Sequence, residues 1–438
     1  MQNFAHMQGD CRNPEGGRPK RAFLAGFEFS GGRGGESDTG VLLGELAELV
    51  SNLGIEVAGS EAVKVRNYNP AFVAGEGKCA EIIAAAESAR AGVIIFDDEL
   101  TPAQQRNWEE KSGMEIVTRQ EVILDIFASR ARTKEARLQV ELAKLEYSLP
   151  RLRKAWSHLD RQRGGGVTQR GGGESRLELD RRGVRERIAR LKTELARVRT
   201  VRATQRKRRE RAPFPTAAIV GYTNAGKSSL INRLTDSSLL SEDKLFATLD
   251  PATRRIDLPD GSPLLLTDTV GFVRKLPHRF VEAFKATLEE AALSDFLVHV
   301  IDVSNPDAPE HARTTLGVLK ELGADEKRTL TVFNKIDIAP DGAWRYALSL
   351  DFPDAVEVSA RTGRGIGELV ARLEGVVGET SVYMRLFIPH SQYASLALLH
   401  SLASVASQKY ADGGVEVEAR VPAKYSERFR EWELRKKS

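Results

Sequence analysis

The sequence predicts an α/β fold of several domains, and three observations support this prediction. Residues 41–125 and 212–378 each alternate short apolar runs of strand length with amphipathic helices, the pattern of a parallel sheet covered by helices. Residues 126–211 instead repeat leucine, isoleucine and valine at spacings of three and four, which is typical of paired helices. A length of 438 residues suits about three domains.

Composition narrows the class of protein. Hydrophobic residues make up 41% of the chain and charged residues 29%, the balance of a globular protein. The two cysteines, Cys11 and Cys79, cannot build a disulfide framework, and they fit a reducing compartment. No apolar run reaches the roughly 18–20 residues that span a bilayer, and the basic amino terminus lacks the apolar core of a signal peptide. We therefore expect a cytoplasmic protein without a membrane span.

The amino-terminal part is predicted to contain one small α/β domain. Residues 1–40 should form a flexible lead-in that includes a strand at Ala22–Phe29. The domain itself covers residues 41–125, and strand and helix alternate in it, so its sheet should be mainly parallel. Its predicted elements are, in order, helix 41–54, strand Glu56–Ala58, helix Ala80–Ala91 and strand Gly92–Phe96.

Residues 126–211 are predicted to form a long antiparallel helical hairpin. Two sets of apolar residues mark the facing seams of its helices: Leu138, Leu142, Leu145 and Leu149, and then Val184, Ile188, Leu191, Leu195 and Val198. Pro150 should kink or end the first helix. The glycine-rich loop at 164–173 should break the helices and form the tip.

The hairpin region is strongly basic. It holds 26 Lys and Arg against 10 Asp and Glu, an excess of 16 positive charges, although the whole chain carries only +4. Such an excess favours a polyanionic partner, whose binding would weaken with salt. The alternative is a solvated helix face with ion pairs along it. Ten acidic residues cannot pair twenty-six basic ones, so this alternative explains only part of the charge.

Residues 212–378 should form a second α/β domain in doubly wound order, and residues 379–438 a small carboxyl-terminal α/β domain. The strands predicted for the second domain are 217–220, Leu264–Asp268, Phe296–Asp302, Thr329–Asn334 and Ala355–Ser359. The small domain should follow a βαβ pattern with strand 382–389, helix Ser391–Gln408 and strand 415–422. We assign it no role.

Gly221–Ser228 reads GYTNAGKS and matches the phosphate-binding loop GxxxxGK[ST] between a strand and a helix. Its glycines let backbone N–H groups curl around phosphate oxygens, and the helix amino terminus favours negative charge. Lys227 should reach the β- and γ-phosphates, and the Ser228 hydroxyl should bind Mg²⁺. The loop therefore predicts a nucleoside triphosphate site. Its candidate binding residues are Gly221, Tyr222, Thr223, Asn224, Ala225, Gly226, Lys227 and Ser228.

Three further segments stand where a P-loop GTPase needs them. DTVG follows a strand, so that Asp268 should hold Mg²⁺ through water and the Gly271 N–H should contact the γ-phosphate. NKID supplies a carboxylate at Asp337 that can accept hydrogen bonds from guanine but not from adenine. SAR should place the Ala360 N–H on the guanine oxygen. The candidate residues of these segments are Asp268, Thr269, Val270 and Gly271, then Asn334, Lys335, Ile336 and Asp337, then Ser359, Ala360 and Arg361.

Switch I should lie between the phosphate-binding loop and DTVG, at Phe246, Ala247, Thr248, Leu249 and Asp250. Thr248 is the first candidate for the threonine that ligates Mg²⁺, and Thr253 is the alternative. Lys227, Thr248 and Gly271 are thus the candidate catalytic residues. Many GTPases orient water with a glutamine directly after DxxG, but Phe272 stands there, so a partner or another group must complete the site. The side chain of Asn224 could hold K⁺ near the phosphates, or simply stabilise the loop.

The sequence resembles the HflX-type ribosome-associated GTPases over about residues 41–378. The motifs that carry the resemblance include FDDELTPAQQRNWE at Phe96–Glu109, GGGVTQRGGGESRLELDRR at Gly164–Arg182, and DKLFATLDPATRR around switch I. The resemblance implies a GTPase that binds the large (50S) ribosomal subunit, splits or rescues ribosomes under stress in its GTP state, and hydrolyses GTP faster on the ribosome. It also implies that the hairpin loop approaches the peptidyl-transferase centre. Candidate contacts to ribosomal RNA are Arg163, Arg170, Arg176, Arg181 and Arg182.

Two other functions remain open on the sequence. The chain could be an RNA-binding factor of large-subunit assembly that GTP regulates, or a GTPase whose hairpin docks on another protein. Salt distinguishes them, because an apolar docking contact resists ionic strengths that dissociate an RNA complex. We expect a monomer. The run at Gly75–Lys78 lacks the spacing of a phosphate-binding loop and is read as a turn between strand and helix, not a second nucleotide site.

Overall fold

A computed structural model of the chain describes residues 21–29, 39–152, 176–210, 214–235, 246, 252–275, 290–379 and 381–434. It confirms the predicted α/β fold of several domains. The chain divides into two compact units, Met1–Ala196 with Pro277–Ala283, and Arg197–Leu276 with Phe284–Ser438. Among the helices described, none is both long enough and apolar enough to cross a membrane.

The first unit is built on a four-stranded sheet with all strands parallel, in the order β2-β1-β3-β4. Its core packs the rings of Phe96 and Trp108 with centroids 4.8 Å apart. The elements are β1 Arg21–Phe29, α1 Thr39–Asn52, β2 Glu56–Val65, α2 Glu76–Ser88, β3 Val93–Phe96, α3 Pro102–Ser112, β4 Glu115–Thr118 and α4 Arg119–Arg130.

Local sequence explains where these elements begin and end. Thr101 caps α3 in a capping box with Gln104, and Gly113, with φ of 68°, ends the helix in the left-handed region. Helix α2 begins four residues earlier than predicted, so Gly75 precedes it and the rest of the Gly75–Lys78 run forms its first turn. Strand β2 extends beyond its predicted end at Ala58. The strand lies at the sheet edge, where its polar residues stay half-exposed, so the apolar alternation that would predict its full length is hidden.

Two helices follow, α5 at Lys134–Ser148 and α6 at Arg176–Glu210. Helix α5 ends two residues before Pro150, as expected from the missing N–H of proline. Ion pairs join the two helices: Arg187 to Glu141 at 2.7 Å and Lys192 to Glu146 at 2.8 Å. The predicted tip at 164–173 lies outside the described residues, so the connection between the helices stays a prediction.

The second unit contains a six-stranded sheet in the order β10-β9-β8-β5-β7-β6. All neighbours are parallel except β6, which pairs antiparallel with β7. Sequence reasoning missed β6, because its ATRRID sequence is mostly polar, as an edge strand allows. The elements are β5 Thr216–Gly221, α7 Lys227–Thr235, β6 Ala252–Asp257, β7 Pro263–Asp268, β8 Phe296–Asp302, α8 Ala308–Glu321, β9 Thr329–Asn334, α9 Ala343–Asp351, β10 Val356–Glu357 and α10 Ile366–Glu379.

The carboxyl-terminal residues form an antiparallel three-stranded sheet in the order β11-β13-β12. The prediction of one helix over Ser391–Gln408 is wrong at its carboxyl end, because the helix ends at Leu402 and the residues from Ser404 onward belong to strand β12. The apolar helical spacing ends at Leu402, and the Asp412–Gly413 turn closes a hairpin that pairs β12 with β13. The elements are β11 Ser381–Pro389, α11 Tyr393–Leu402, β12 Ser404–Ala411, β13 Gly414–Pro422 and α12 Ala423–Phe429.

Candidate functional site

The four nucleotide motifs meet at one edge of the six-stranded sheet. Strands β5, β7, β8 and β9 are parallel, so their carboxyl ends lie together, which is where α/β sheets bind ligands. These strands end at Gly221, Asp268, Asp302 and Asn334. The structure therefore brings together the phosphate-binding loop, DTVG and NKID, and SAR follows the neighbouring strand β10.

Lys227 is held inside the phosphate-binding loop. Its Nζ donates to the carbonyl oxygens of Gly221, at 3.1 Å, and Tyr222, at 2.7 Å. The side chain is buried, and burial lowers the pKa of its ammonium group to about 8, although the nearby Asp268 carboxylate opposes this shift. The loop thus fixes a cation at the amino end of α7, where phosphate oxygens would be favoured.

The loop backbone adopts conformations that suit a phosphate cradle. Asn224 and Gly226 both have positive φ values, 60° and 88°. At Gly226 a Cβ would collide with the side-chain amide of Asn334, so only glycine fits this position. The exposed Asn224 side chain is available at the surface of the loop.

Ser228 and Asp268 form an oxygen-rich pair beside Lys227. The Ser228 hydroxyl donates to Asp268 Oδ2 at 2.6 Å, and the carboxylate is 1% exposed. Hydroxyl and carboxylate oxygens are the ligands that Mg²⁺ prefers, and this ion usually keeps several waters. These residues therefore fit the Mg²⁺ ion that P-loop GTPases generally use; when bound, it neutralises charge on the phosphates.

The DTVG segment pairs directly with the phosphate-binding loop. Phe272 donates its N–H to the Gly221 carbonyl at 3.1 Å, and its own carbonyl accepts the Thr223 N–H at 2.8 Å. This pairing brings Gly271 so close that a Cβ there would lie 2.8 Å from Thr223 Cα and 2.9 Å from Lys227 Nζ. The Phe272 side chain is 1% exposed, so it neither hydrogen-bonds nor reaches solvent.

Asn334 joins NKID and SAR, the motifs expected to bind guanine, to the phosphate-binding loop. Its side-chain amide donates to the Ala225 carbonyl at 2.9 Å, and its oxygen accepts the Ala360 N–H at 3.0 Å. The side chain is 1% exposed. One residue therefore sets the spacing between the phosphate-binding loop and SAR.

Asp337 carries the carboxylate that could select guanine. A hydrogen bond from Ser359 lowers the pKa of this carboxyl group below its usual value, and the Arg361 guanidinium, 2.7 Å away, adds to the effect. The carboxyl group therefore stays ionised and can accept two hydrogen bonds. Lys335 is held separately by Asp302, at 2.8 Å.

The predicted switch I residues fall mostly outside the described part of the chain. Ala247, Thr248, Leu249 and Asp250 lie outside the described residues, and Phe246 is buried with φ of 54°. The alternative Mg²⁺ ligand, Thr253, lies in β6 with its hydroxyl 3.0 Å from that of Thr267, so the sheet already supplies its partner.

The candidate RNA contacts lie either before α6 in the sequence or in its first two turns. Arg163 and Arg170 are outside the described residues, and Arg176 begins the helix. Arg181 is half-buried, whereas Arg182 is exposed and pairs with Glu186 at 3.5 Å. Of these two residues, Arg182 is the more exposed on the helix surface.

Sequence reasoning missed His311, which lies on α8 and stacks on Tyr222 of the phosphate-binding loop with ring centroids 3.8 Å apart. Burial, with the Arg274 guanidinium, lowers the pKa of the His311 imidazole to about 4. No motif spacing signals this residue, because 89 positions separate the two rings and only the fold joins them.

One sheet edge therefore carries a phosphate-binding loop with its lysine, a Ser–Asp pair suited to Mg²⁺ and a carboxylate suited to guanine. Together these features define a P-loop GTPase. Three protein families match successive parts of the chain. Residues 41–128 match the GTP-binding GTPase N-terminal family, residues 130–209 the GTP-binding GTPase middle region, and residues 216–335 the 50S ribosome-binding GTPase family.

Curated relatives extend the likeness over nearly the whole chain. GTPase HflX of Akkermansia muciniphila is 46% identical over 417 residues, which cover 93% of this chain and 95% of the relative. GTPase HflX of Escherichia coli is 42% identical over 383 residues, covering 87% and 89%. The chain therefore belongs to the HflX family of GTPases. A solved GTP-binding protein of Sulfolobus solfataricus in complex with GDP is 24% identical, covering 81% of this chain and 98% of that one with a TM-score of 0.42.

Proposed function

We propose that this GTPase binds the large ribosomal subunit and, in its GTP state, splits or rescues ribosomes during stress. The observation that carries the proposal is the match of residues 216–335 to the 50S ribosome-binding GTPase family. The basic region at 126–211 supports it, because an excess of 16 positive charges suits ribosomal RNA. The protein would act in the cytoplasm as a monomer.

We assign the nucleotide contacts as follows. Lys227 and the loop amides bind the phosphates, Ser228 and Thr248 ligate Mg²⁺, and Asp268 holds the ion through water. On the base side Asp337 accepts from guanine and Ala360 donates to its oxygen. Asn224 would hold K⁺ beside the phosphates. Water then attacks the γ-phosphate in line with the leaving oxygen, while Lys227 and the Gly271 N–H stabilise the developing charge.

The residue after DTVG supports stimulation by the ribosome. Phe272 is buried and has no group that could orient water. Hydrolysis by the chain alone should therefore be slow, and contact with the subunit would complete the site. GTP orders the switches and hydrolysis releases them, so the two nucleotide states would bind the subunit surface with different affinities.

Sedimentation of whole ribosomes in a sucrose gradient tests the proposal. The chain with a non-hydrolysable GTP analogue should convert intact ribosomes into subunits and sediment with the large one. Lys227→Ala should abolish both effects, whereas Lys320→Ala, a lysine exposed on α8, should change neither.

Two results would contradict the proposal. The first is splitting or subunit binding that persists in Lys227→Ala, because GTP would then have no part in it. The second is association with immature large-subunit particles alone, which would support the assembly factor instead. Loss of binding at moderate salt is expected, since counterion release drives RNA contacts.

A further inference from the structure

Tyr222 lies where three elements of the GTPase meet. It follows Gly221 in the phosphate-binding loop, and its side chain is buried, with 6% exposed. Its ring stacks face to face on the imidazole of His311 in α8, with an angle of 7° between the planes. This ring contact packs the phosphate-binding loop against α8.

The phenol of Tyr222 also holds the segment that follows DTVG. Its oxygen accepts the backbone N–H of Arg274 at 2.7 Å. The Arg274 guanidinium in turn lies 3.6 Å from Asp307, the residue that precedes α8. Arg274 is thus tied at its backbone to the phosphate-binding loop and at its side chain to the start of α8.

These contacts continue a series that begins at Phe272. Phe272 pairs its N–H and its carbonyl with the loop, and the bond to Tyr222 adds a third attachment two residues later. Between the first and the last attachment the backbone has little freedom. Gly271, which directly precedes this series, is thereby kept against the Lys227 ammonium.

The stack is neutral. Burial and the positive charge of Arg274 lower the pKa of His311 to about 4, so its imidazole is uncharged near pH 7. A neutral ring makes an aromatic contact without transferring a proton to the site. His311 therefore supports Tyr222 by packing alone.

We propose that Tyr222 is a positioning residue for GTP hydrolysis, whose hydroxyl and ring fix the Gly271–Arg274 segment against the phosphate-binding loop. Tyr222 acts through Gly271 and touches no reacting atom. The role belongs to the GTPase site itself and goes beyond the action on ribosomes, so it holds whether or not the chain splits them.

Tyr222→Phe tests the hydroxyl, since it keeps the ring and the stack but removes the acceptor for the Arg274 N–H. Single-turnover hydrolysis of GTP and the Kd for a fluorescent GDP analogue are measured on the full chain. The hydrolysis rate should fall about 5- to 10-fold, as loss of one buried hydrogen bond implies. The Kd for GDP should stay within about twofold, because the phosphate contacts of the loop remain.

Variants of His311 test the ring. His311→Phe preserves stacking and should hydrolyse GTP at nearly the wild-type rate, whereas His311→Ala should be slow. Tyr346→Phe, at a tyrosine that is 69% exposed on α9, is the matched control and should behave as wild type.

Unchanged hydrolysis in Tyr222→Phe would overturn the proposal. So would a parallel loss of GDP affinity and hydrolysis, since Tyr222 would then only maintain the loop. Failure of His311→Phe to exceed His311→Ala would also contradict the role of the stack. None of these measurements uses ribosomes, so their outcome is independent of the proposed splitting activity.

Discussion

Replacing Asn334 with alanine should both destabilise the GTPase domain and weaken nucleotide binding. The side chain is 1% exposed, and its amide bridges the Ala225 carbonyl and the Ala360 N–H at 2.9 and 3.0 Å. Alanine leaves that carbonyl and that N–H buried without partners. Each unpaired group costs about 1–3 kcal/mol, so the free energy of unfolding should fall by roughly 2–6 kcal/mol.

Thermal unfolding and GDP titration measure the two effects of Asn334→Ala. At about 2–4 °C per kcal/mol for a domain of this size, the midpoint should drop by at least about 4 °C. GDP affinity should fall at least about tenfold, because Asn334 sets the distance between the loop and SAR. Ser349→Ala, on the exposed side of α9, controls for the loss of any polar side chain. An unchanged midpoint together with unchanged affinity would refute the bridging role.

Three further outcomes are expected. Asp337→Asn should reduce GTP affinity by roughly 10²–10⁴-fold and improve binding of xanthosine triphosphate, because the side-chain amide offers a donor where the carboxylate offered an acceptor. Equal affinity of the wild-type chain for both nucleotides would contradict the assignment of Asp337. Gly271→Ala should slow hydrolysis at least about tenfold in single turnover with smaller loss of GDP binding, because its Cβ would meet Thr223 at 2.8 Å. Burial holds His299 and His311 at a pKa of about 4, below the ordinary 6.5. The unfolded chain therefore binds more protons between these values, so unfolding free energy should fall as pH drops from 6.5 to 4, and His311→Phe should flatten that dependence in thermal scans.

Most of the fold could be predicted from the sequence because the strongest hydrophobic patterns were long and periodic. Alternating strands and helices predicted a mainly parallel sheet in the first domain and a doubly wound sheet in the second. The first sheet is parallel throughout, and the second is parallel except for β6. The prediction of helices and strands was wrong where the local sequence pattern and the tertiary contacts disagree. The last five residues of the helix predicted at Ser391–Gln408 form a strand instead, because the apolar helical spacing ends at Leu402 and the residues that follow pair with β13. The polar edge strand β6 carries no apolar alternation from which it could have been read.

In the candidate site, too, one part could be predicted from the sequence and another part could not. Motif spacing was enough to expect the phosphate-binding loop, DTVG, NKID and SAR at one edge, and the structure brings them there. It could not reveal the amide bridge of Asn334 or the stack of Tyr222 on His311, because these contacts join positions that are about 90 or more residues apart. Only the folded chain determines such distances. The placement of Thr248 remains a prediction of the sequence.

The measurement that tests the central claim most directly is GTP turnover by the pure chain, alone and with large ribosomal subunits, in potassium buffer. Turnover should be slow alone, because Phe272 cannot orient water, and should rise strongly with subunits. Deleting the loop at 164–173 should remove most of that rise and leave the basal rate unchanged. Turnover that subunits do not change, in a chain that binds GTP normally, would contradict the proposed action on the ribosome.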